Sequence, residues 1–217
     1  HYESAGVCFE TAGRAVRDGL ISRKCKDMEY RLNASELREK AGMLRVFDTV
    51  SLSGVVYTAR DAAHKKIFAL LDSGAPLPFE LEGATIYYAG PTQTPPGRAI
   101  GACGPTTSGR MDFFAPRLLD LGLSCMIGKG ERSQAVKDAI CRNQAVYLCA
   151  IGGAGALACK CIKSCEVIAF AELGCESVKR LTLENFPLIV AADAAGGDIF
   201  RDGQSAFAAA RREKAVR

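Results

Sequence analysis

The segment LRVFDTVSLSGVVYTARDAAHKKIFALLDSG, residues 44–74, decides the fold class of this 217-residue chain. Apolar and polar residues alternate over 44–58, with a break at Gly54, and this pattern predicts β-strands. Over 61–73 the apolar residues share one helical face, with Asp61 as a candidate cap and Gly74 as the stop. A strand that leads directly into a helix indicates a layered α/β or mixed fold rather than a helical bundle.

The rest of the chain continues this alternation. Short apolar runs predict further strands at 85–89, 124–127, 146–151, 166–170 and 187–192. Helical patterns predict helices at 35–42, capped by Ser35 and stopped by Gly42, and at 113–122, 131–142 and 205–210.

Composition excludes several classes of protein. Hydrophobic residues make up 48% and charged residues 24%, as in globular proteins. No apolar run reaches the ~18 residues that a membrane-spanning helix needs. The net charge of +4 is too small to indicate nucleic-acid binding. His1 and His64 are the only histidines, which excludes a His-rich zinc site.

Ten cysteines are an unusual number for this length. Most lie among apolar residues, where cysteine behaves as a small core side chain, so we predict reduced thiols in a cytoplasmic protein. Cys159, Cys161 and Cys165 suggest a metal cluster, but they lack the C-x-x-C spacing typical of iron–sulfur ligands. We therefore interpret them as structural thiols.

The most informative stretch for chemistry is GPTTSGRMD, residues 104–112, called here the hydroxyl loop. Its glycines let backbone N–H groups approach a ligand, and Thr106, its two hydroxyl neighbours and Arg110 add donors. These features predict an anion-binding loop, with a purely structural Gly/Pro loop as the alternative.

Two further segments carry candidate binding residues. Lys129 lies between two glycines after an apolar strand, where it is either a pocket ammonium or an ordinary surface lysine. Arg60 lies at a strand-to-helix junction, the usual ligand position in α/β sheets, and suits a carboxylate. The expected roles of Asp61 and His64 are a helix cap and a hydrogen-bonded polar side chain rather than catalysis.

Four motifs occur in a recognisable order: YTARDAAH at 57–64, YAGPT at 88–92, the hydroxyl loop, and IGKG at 127–130. Together with ELG at 172–174 and ENFP at 184–187, they resemble the β subunit, or C-terminal domain, of iron–sulfur class I fumarases and L(+)-tartrate dehydratases. The resemblance covers about residues 28–201. It implies a swivelling β/β/α domain, an α/β fold with a mixed β-sheet core flanked by helices. Residues 28–217 would form this catalytic domain, and residues 1–27 an extension of unclear role.

The resemblance also implies a hydro-lyase that interconverts fumarate and L-malate. A partner α subunit would carry the [4Fe-4S] cluster on its own three cysteines, so this chain would need no cluster motif, and an α₂β₂ assembly would be needed for activity. Arg60, Arg110 and Lys129 match the residues that bind the dicarboxylate substrate, and Thr106 matches the catalytic base.

Three alternatives stay open at this stage. L(+)-tartrate dehydratase keeps the family and changes the substrate. A non-catalytic anion-binding domain and a metal or redox protein built on the cysteines belong to other classes.

Overall fold

A seven-stranded sheet organises the described part of the chain, which in this computed structural model covers residues 28–215. The predicted extension at residues 1–27 lies outside it. The strands, in chain order, are β1 (Glu29–Asn33), β2 (Thr49–Thr58), β3 (Thr85–Tyr87), β4 (Cys125–Gly128), β5 (Val146–Cys149), β6 (Ile162–Ala169) and β7 (Val178–Ala192).

Within the described residues, five helices lie between these strands along the chain, and a sixth follows β7. They are α1 (Leu37–Lys40), α2 (Asp61–Ser73), α3 (Ala115–Asp120), α4 (Gln134–Arg142), α5 (Gly155–Ala158) and α6 (Ile199–Ala215). Short 3₁₀ turns occur at Ala34–Glu36, Ala41–Met43, Ser108–Met111, Cys159–Cys161 and Ala171–Glu176. Residues 28–198 form one compact unit, and α6 belongs to a second. No helix in the described region is both long and apolar enough to cross a membrane.

Five of the strands close into a small barrel. The order β2-β3-β4-β5-β7 returns to its start because β7 also pairs with β2, antiparallel, from Thr49↔Ile189 to Thr58↔Lys179. β1 extends the sheet beside β2, and β6 beside β7. This mixed sheet with flanking helices confirms the predicted α/β fold class.

The barrel interior is filled by alternate side chains of the strands, as the period of two requires. Leu52, Ile127, Leu148 and Leu181 are among those with no more than 1% exposure. Each such side chain contributes roughly 1.5–3 kcal/mol by leaving water.

Several predicted boundaries are wrong for local reasons. The strand predicted from residue 44 begins at Thr49, because Phe47 has a positive φ of 75° and the Asp48 carboxylate accepts the Arg45 N–H at 2.8 Å in a tight turn. The predicted helix at 35–42 begins with the 3₁₀ turn Ala34–Glu36, which is capped by Asn33 rather than Ser35: the Asn33 side chain accepts the Ser35 N–H, while the Glu36 side chain accepts the Asn33 N–H.

The direction of the strands fixes where a site can form. β2, β3, β4 and β5 are mutually parallel, so their carboxyl ends lie at one edge of the barrel, called here the strand-end edge. Ligands of α/β sheets commonly bind at such ends.

Candidate functional site

Arg60 leaves the carboxyl end of β2 and is the cap residue of α2. Its Nη2 lies 3.3 Å from Glu176 Oε1, and the other oxygen of Glu176 accepts the Ala62 N–H at 3.1 Å. A Cβ at Gly90, just after β3, would overlap the Arg60 guanidinium, so the glycine makes room for it. Glu176 therefore both caps the helix and orients Arg60.

Arg110, in the 3₁₀ turn of the hydroxyl loop, forms a two-pronged pair with Asp61. Arg110 Nε lies 3.1 Å from Asp61 Oδ1, and Nη2 lies 2.6 Å from Oδ2. Asp61 is the first helical residue rather than the cap, which corrects its expected role. Because Asp61 follows Arg60 directly, this pair brings Arg110 to the same helix start as Arg60.

Thr106 lies where the hydroxyl loop crosses the strand-end edge. Pro105 bridges Ala89 beyond β3, and Thr107 bridges Lys129 beyond β4. Between them, the Thr106 N–H donates to Tyr88 O at 2.7 Å. The Thr106 side chain is partly exposed, and its hydroxyl forms no hydrogen bond with another described residue.

Lys129 follows β4 directly and is tied to the hydroxyl loop by its backbone. Its N–H donates to Ser108 Oγ at 3.1 Å, and its carbonyl accepts the Ser108 N–H at 2.9 Å. Within residues 28–215, no carboxylate pairs with the Lys129 ammonium. The structure thus places Arg60, Thr106, Arg110 and Lys129 at one edge of the barrel.

Sequence reasoning missed the carboxylates that hold these cations. Glu176 is distant in sequence from Arg60, and only its position after the ELG motif is a signal. The Asp112–Arg132 pair was also missed: Arg132 is 3% exposed, and its Nε lies 2.6 Å from Asp112 Oδ1.

His64, near the start of α2, is fully buried. Its Nδ1 lies 2.9 Å from the Arg60 carbonyl, which only accepts, so Nδ1 carries the proton. Nε2 then has no hydrogen-bond partner among the described groups, which corrects the expectation of a fully bonded side chain. Burial lowers the pKa of His64 to about 4, so the ring is neutral at physiological pH.

The cysteines do not fit an iron–sulfur cluster in the described region. No three His, Cys, Asp or Glu side chains there are placed to hold a metal ion. Burial raises the pKa of Cys103 to about 12 and also raises that of Cys125, so both are protonated packing side chains. Cys8 and Cys25 lie outside the described residues.

A cavity of about 350 Å³ is lined in part by Pro91 and Cys175, which follow Gly90 and precede Glu176 in the chain. Its lining includes Ile100, Cys165, Cys175 and Lys179, but none of the four predicted site residues. The Lys179 ammonium donates hydrogen bonds to the Ser177 hydroxyl and to the Gly174 and Cys175 carbonyls. We place the candidate site at the strand-end edge, because the segments that carry Arg60, Thr106, Arg110 and Lys129 lie there.

Comparisons with known proteins agree with the predicted resemblance. Fumarate hydratase class I, aerobic, of Salmonella typhimurium is 40% identical over 79% of this chain and 30% of its own length. Fumarate hydratase 2 of Leishmania major is 40% identical over 76% of this chain and 29% of its own length. The chain thus spans about 30% of the length of these fumarate hydratases.

A shorter relative matches along nearly its whole length. The putative L(+)-tartrate dehydratase subunit beta of Methanocaldococcus jannaschii is 38% identical over 81% of this chain and 92% of its own length. Residues 11–203 match the family described as Fumarase C-terminus. The chain belongs to the Fumarase C-terminus family.

Proposed function

We propose that this chain is the β subunit of a hydro-lyase that reversibly hydrates fumarate to L-malate. The observation that supports the proposal is that Arg60, Thr106, Arg110 and Lys129 all lie on segments at the strand-end edge. Residues 28–217 are the catalytic domain in this proposal. The family membership and the names of the relatives support the class of reaction.

The three cations suit a substrate with two carboxylates. Guanidinium groups match carboxylates in a two-pronged geometry, and an ammonium adds a point charge. Asp61 and Glu176 hold each arginine by one side, which fixes the direction of the groups that are still free. The cations outnumber these two carboxylates, so the edge keeps positive charge for an anionic substrate.

The same cations assist proton transfer at carbon. Dehydration of malate removes a weakly acidic proton next to a carboxylate, and negative charge then builds on that carboxylate. Arg110 and Lys129, fixed in advance, stabilise this charge. The Thr106 hydroxyl acts as the base; because its ordinary pKa is high, it depends on these cations to favour the alkoxide.

The iron–sulfur cluster belongs to the partner in this proposal. Class I fumarate hydratases are generally iron–sulfur enzymes, and the described cysteines of this chain do not fit such a group. An α subunit that carries a [4Fe-4S] cluster, assembled with this chain as α₂β₂, supplies it. The printed name "subunit beta" of the Methanocaldococcus jannaschii relative supports a partner subunit.

Anaerobic reconstitution of this chain with its cognate α subunit tests the proposal. We expect fumarate hydration by the assembly and none by this chain alone. Arg110→Ala, which removes one guanidinium, is expected to weaken substrate binding strongly. An assembly that hydrates fumarate equally well without the Arg60 and Arg110 guanidinium groups would contradict the proposed site.

A second candidate is L(+)-tartrate dehydratase, because the chain covers 92% of the Methanocaldococcus jannaschii relative so named. Tartrate differs from malate by one hydroxyl group. The same assembly should be offered fumarate, L(+)-tartrate and mesaconate side by side. A higher kcat/KM for tartrate than for malate would favour the second candidate.

A further inference from the structure

A short chain of hydroxyl groups lies directly behind Lys129. Ser108 Oγ accepts the Lys129 N–H at 3.1 Å, and the Tyr147 hydroxyl oxygen lies 2.8 Å from Ser108 Oγ and 2.9 Å from Gly130 O. A carbonyl only accepts, so the Tyr147 hydroxyl donates to Gly130 and the Ser108 hydroxyl donates to Tyr147. In this arrangement the hydroxyl groups link the Lys129 N–H to the Gly130 carbonyl, so the chain begins at residue 129 and ends at residue 130.

These groups are shielded from water. Ser108 and Tyr147 are both 0% exposed. Burial raises the pKa of Tyr147 well above its ordinary value, so the phenol keeps its proton and stays a donor. A Cβ at Gly128 would overlap Ser108 Oγ, so the glycine before Lys129 permits the approach. The hydrogen bonds of this chain are therefore shielded from solvent.

Arg132 holds the Tyr147 ring in place. Its guanidinium carbon lies 4.9 Å from the centre of that ring. One carboxylate oxygen of Asp112 accepts a hydrogen bond from Arg132 Nε at 2.6 Å. The other accepts a hydrogen bond from the Ser133 N–H, also at 2.6 Å. A buried charged pair thus fixes one face of the ring whose hydroxyl contacts Gly130.

Lys129 depends on this support more than the two arginines do. Arg60 and Arg110 are each oriented by a carboxylate, Glu176 and Asp61. Lys129 has no carboxylate partner in the described region, so the hydrogen bonds that fix its position there are those of its backbone.

We propose that Ser108 and Tyr147 are positioning residues that aim Lys129 at the substrate. The proposal rests on the proposed function, in which Lys129 binds a substrate carboxylate. The hydroxyl chain fixes the peptide between residues 129 and 130, and through it the direction of the Lys129 side chain.

A double-mutant cycle in the assembled enzyme tests this. Ser108→Ala is expected to raise the KM for malate about tenfold, because a misdirected ammonium binds less well. In a Lys129→Ala background, Ser108→Ala should change KM by less than about twofold, since the group it positions is gone. An equal factor in both backgrounds would show that Ser108 does not act through Lys129.

Two phenylalanine variants separate positioning from stability. Tyr147→Phe is expected to raise KM as Ser108→Ala does. Tyr87→Phe is the matched control: it also removes a buried phenol-to-carbonyl bond, at 2.8 Å to Cys103 O, but that bond does not involve residues 129 and 130. We expect it to lower thermal stability similarly while KM stays within about twofold of wild type. A similar rise in KM in both variants would overturn the positioning role, whereas a wild-type assembly without dicarboxylate turnover would overturn the proposed function itself.

Discussion

The pH dependence of stability provides a sharp test of the packing around His64. The neutral ring donates from Nδ1 to the Arg60 carbonyl and packs against Tyr88 and Phe114, with ring centres 5.6 and 5.3 Å away. Protonation would place a second N–H at Nε2, where no described group accepts it. Asp61 favours the charged ring and Arg132 opposes it, but burial has the largest effect on the pKa.

The sign and size of the effect follow from the two pKa values. The pKa of His64 is about 4 in the folded chain and 6.5 as the ordinary value. As the pH falls below 6.5, the unfolded chain binds the proton first, so stability is fully present above that pH and is lost toward pH 4. The loss by about pH 5 is ~2 kcal/mol.

Urea unfolding at about pH 7.5 and about pH 5, followed by circular dichroism, measures this loss. His64→Gln is the comparison variant, because an amide can still donate to Arg60 O but does not titrate. Acidic side chains titrate in both proteins, so the difference between the two pH responses isolates His64. If both proteins lost the same free energy of unfolding, the assignment of a neutral buried His64 would be refuted.

Three further predictions concern the site and its support. Thr106→Ala should lower kcat of the assembled enzyme at least about 100-fold while malate binding, measured by calorimetry, is largely retained; near-normal turnover would remove Thr106 from the mechanism. Gly128→Ala forces a methyl group against Ser108 Oγ and should lower the free energy of unfolding by about 1–3 kcal/mol, and an unchanged urea midpoint would contradict the close approach. Asp112→Asn leaves the Arg132 charge buried without its partner and should cost about 3–5 kcal/mol, measured by the same unfolding, whereas a loss below about 1 kcal/mol would mean that the pair is not shielded.

Local patterns were enough to predict some elements of the fold. The helix predicted at 61–73 is present as α2, and Gly74 ends it in a left-handed conformation with φ of 68°. Its apolar face and its stop residue lie within the helix itself, so no distant contact is needed to predict it. The strands at β4 and β5 were predicted for the same reason, since they are short, apolar and fully enclosed.

Long-range pairing explains what was missed. β1, which was not predicted, is mostly exposed to solvent. It forms because it pairs in parallel with β2. β7 runs over 15 residues, although only 187–192 was predicted, because the adjacent polar pairs Lys179-Arg180 and Glu184-Asn185 interrupt the apolar pattern of its first half. No local sequence pattern in β1 or in the first half of β7 indicates which strand it pairs with.

The candidate site also combines residues that local patterns predict with residues that only long-range contacts bring in. Arg60, Thr106, Arg110 and Lys129 were predicted from glycine-rich and strand-end motifs, and the structure places them at one edge. Their supporting groups were not predicted, because the contacts join separate segments: Asp112 meets Arg132 20 positions later, and Ser108 meets Tyr147 39 positions later.

Barrel closure by β7 has a consequence for biosynthesis. The Lys179 N–H on β7 donates a hydrogen bond to the Thr58 hydroxyl on β2, 121 positions earlier in the chain. During synthesis, β2 therefore lacks its antiparallel neighbour until most of the chain has left the ribosome. During that interval the unpaired edges of β2 and β5 are templates for intermolecular pairing. A nascent chain arrested before residue 178 should therefore aggregate or recruit chaperones, whereas release of the last strand permits cooperative folding.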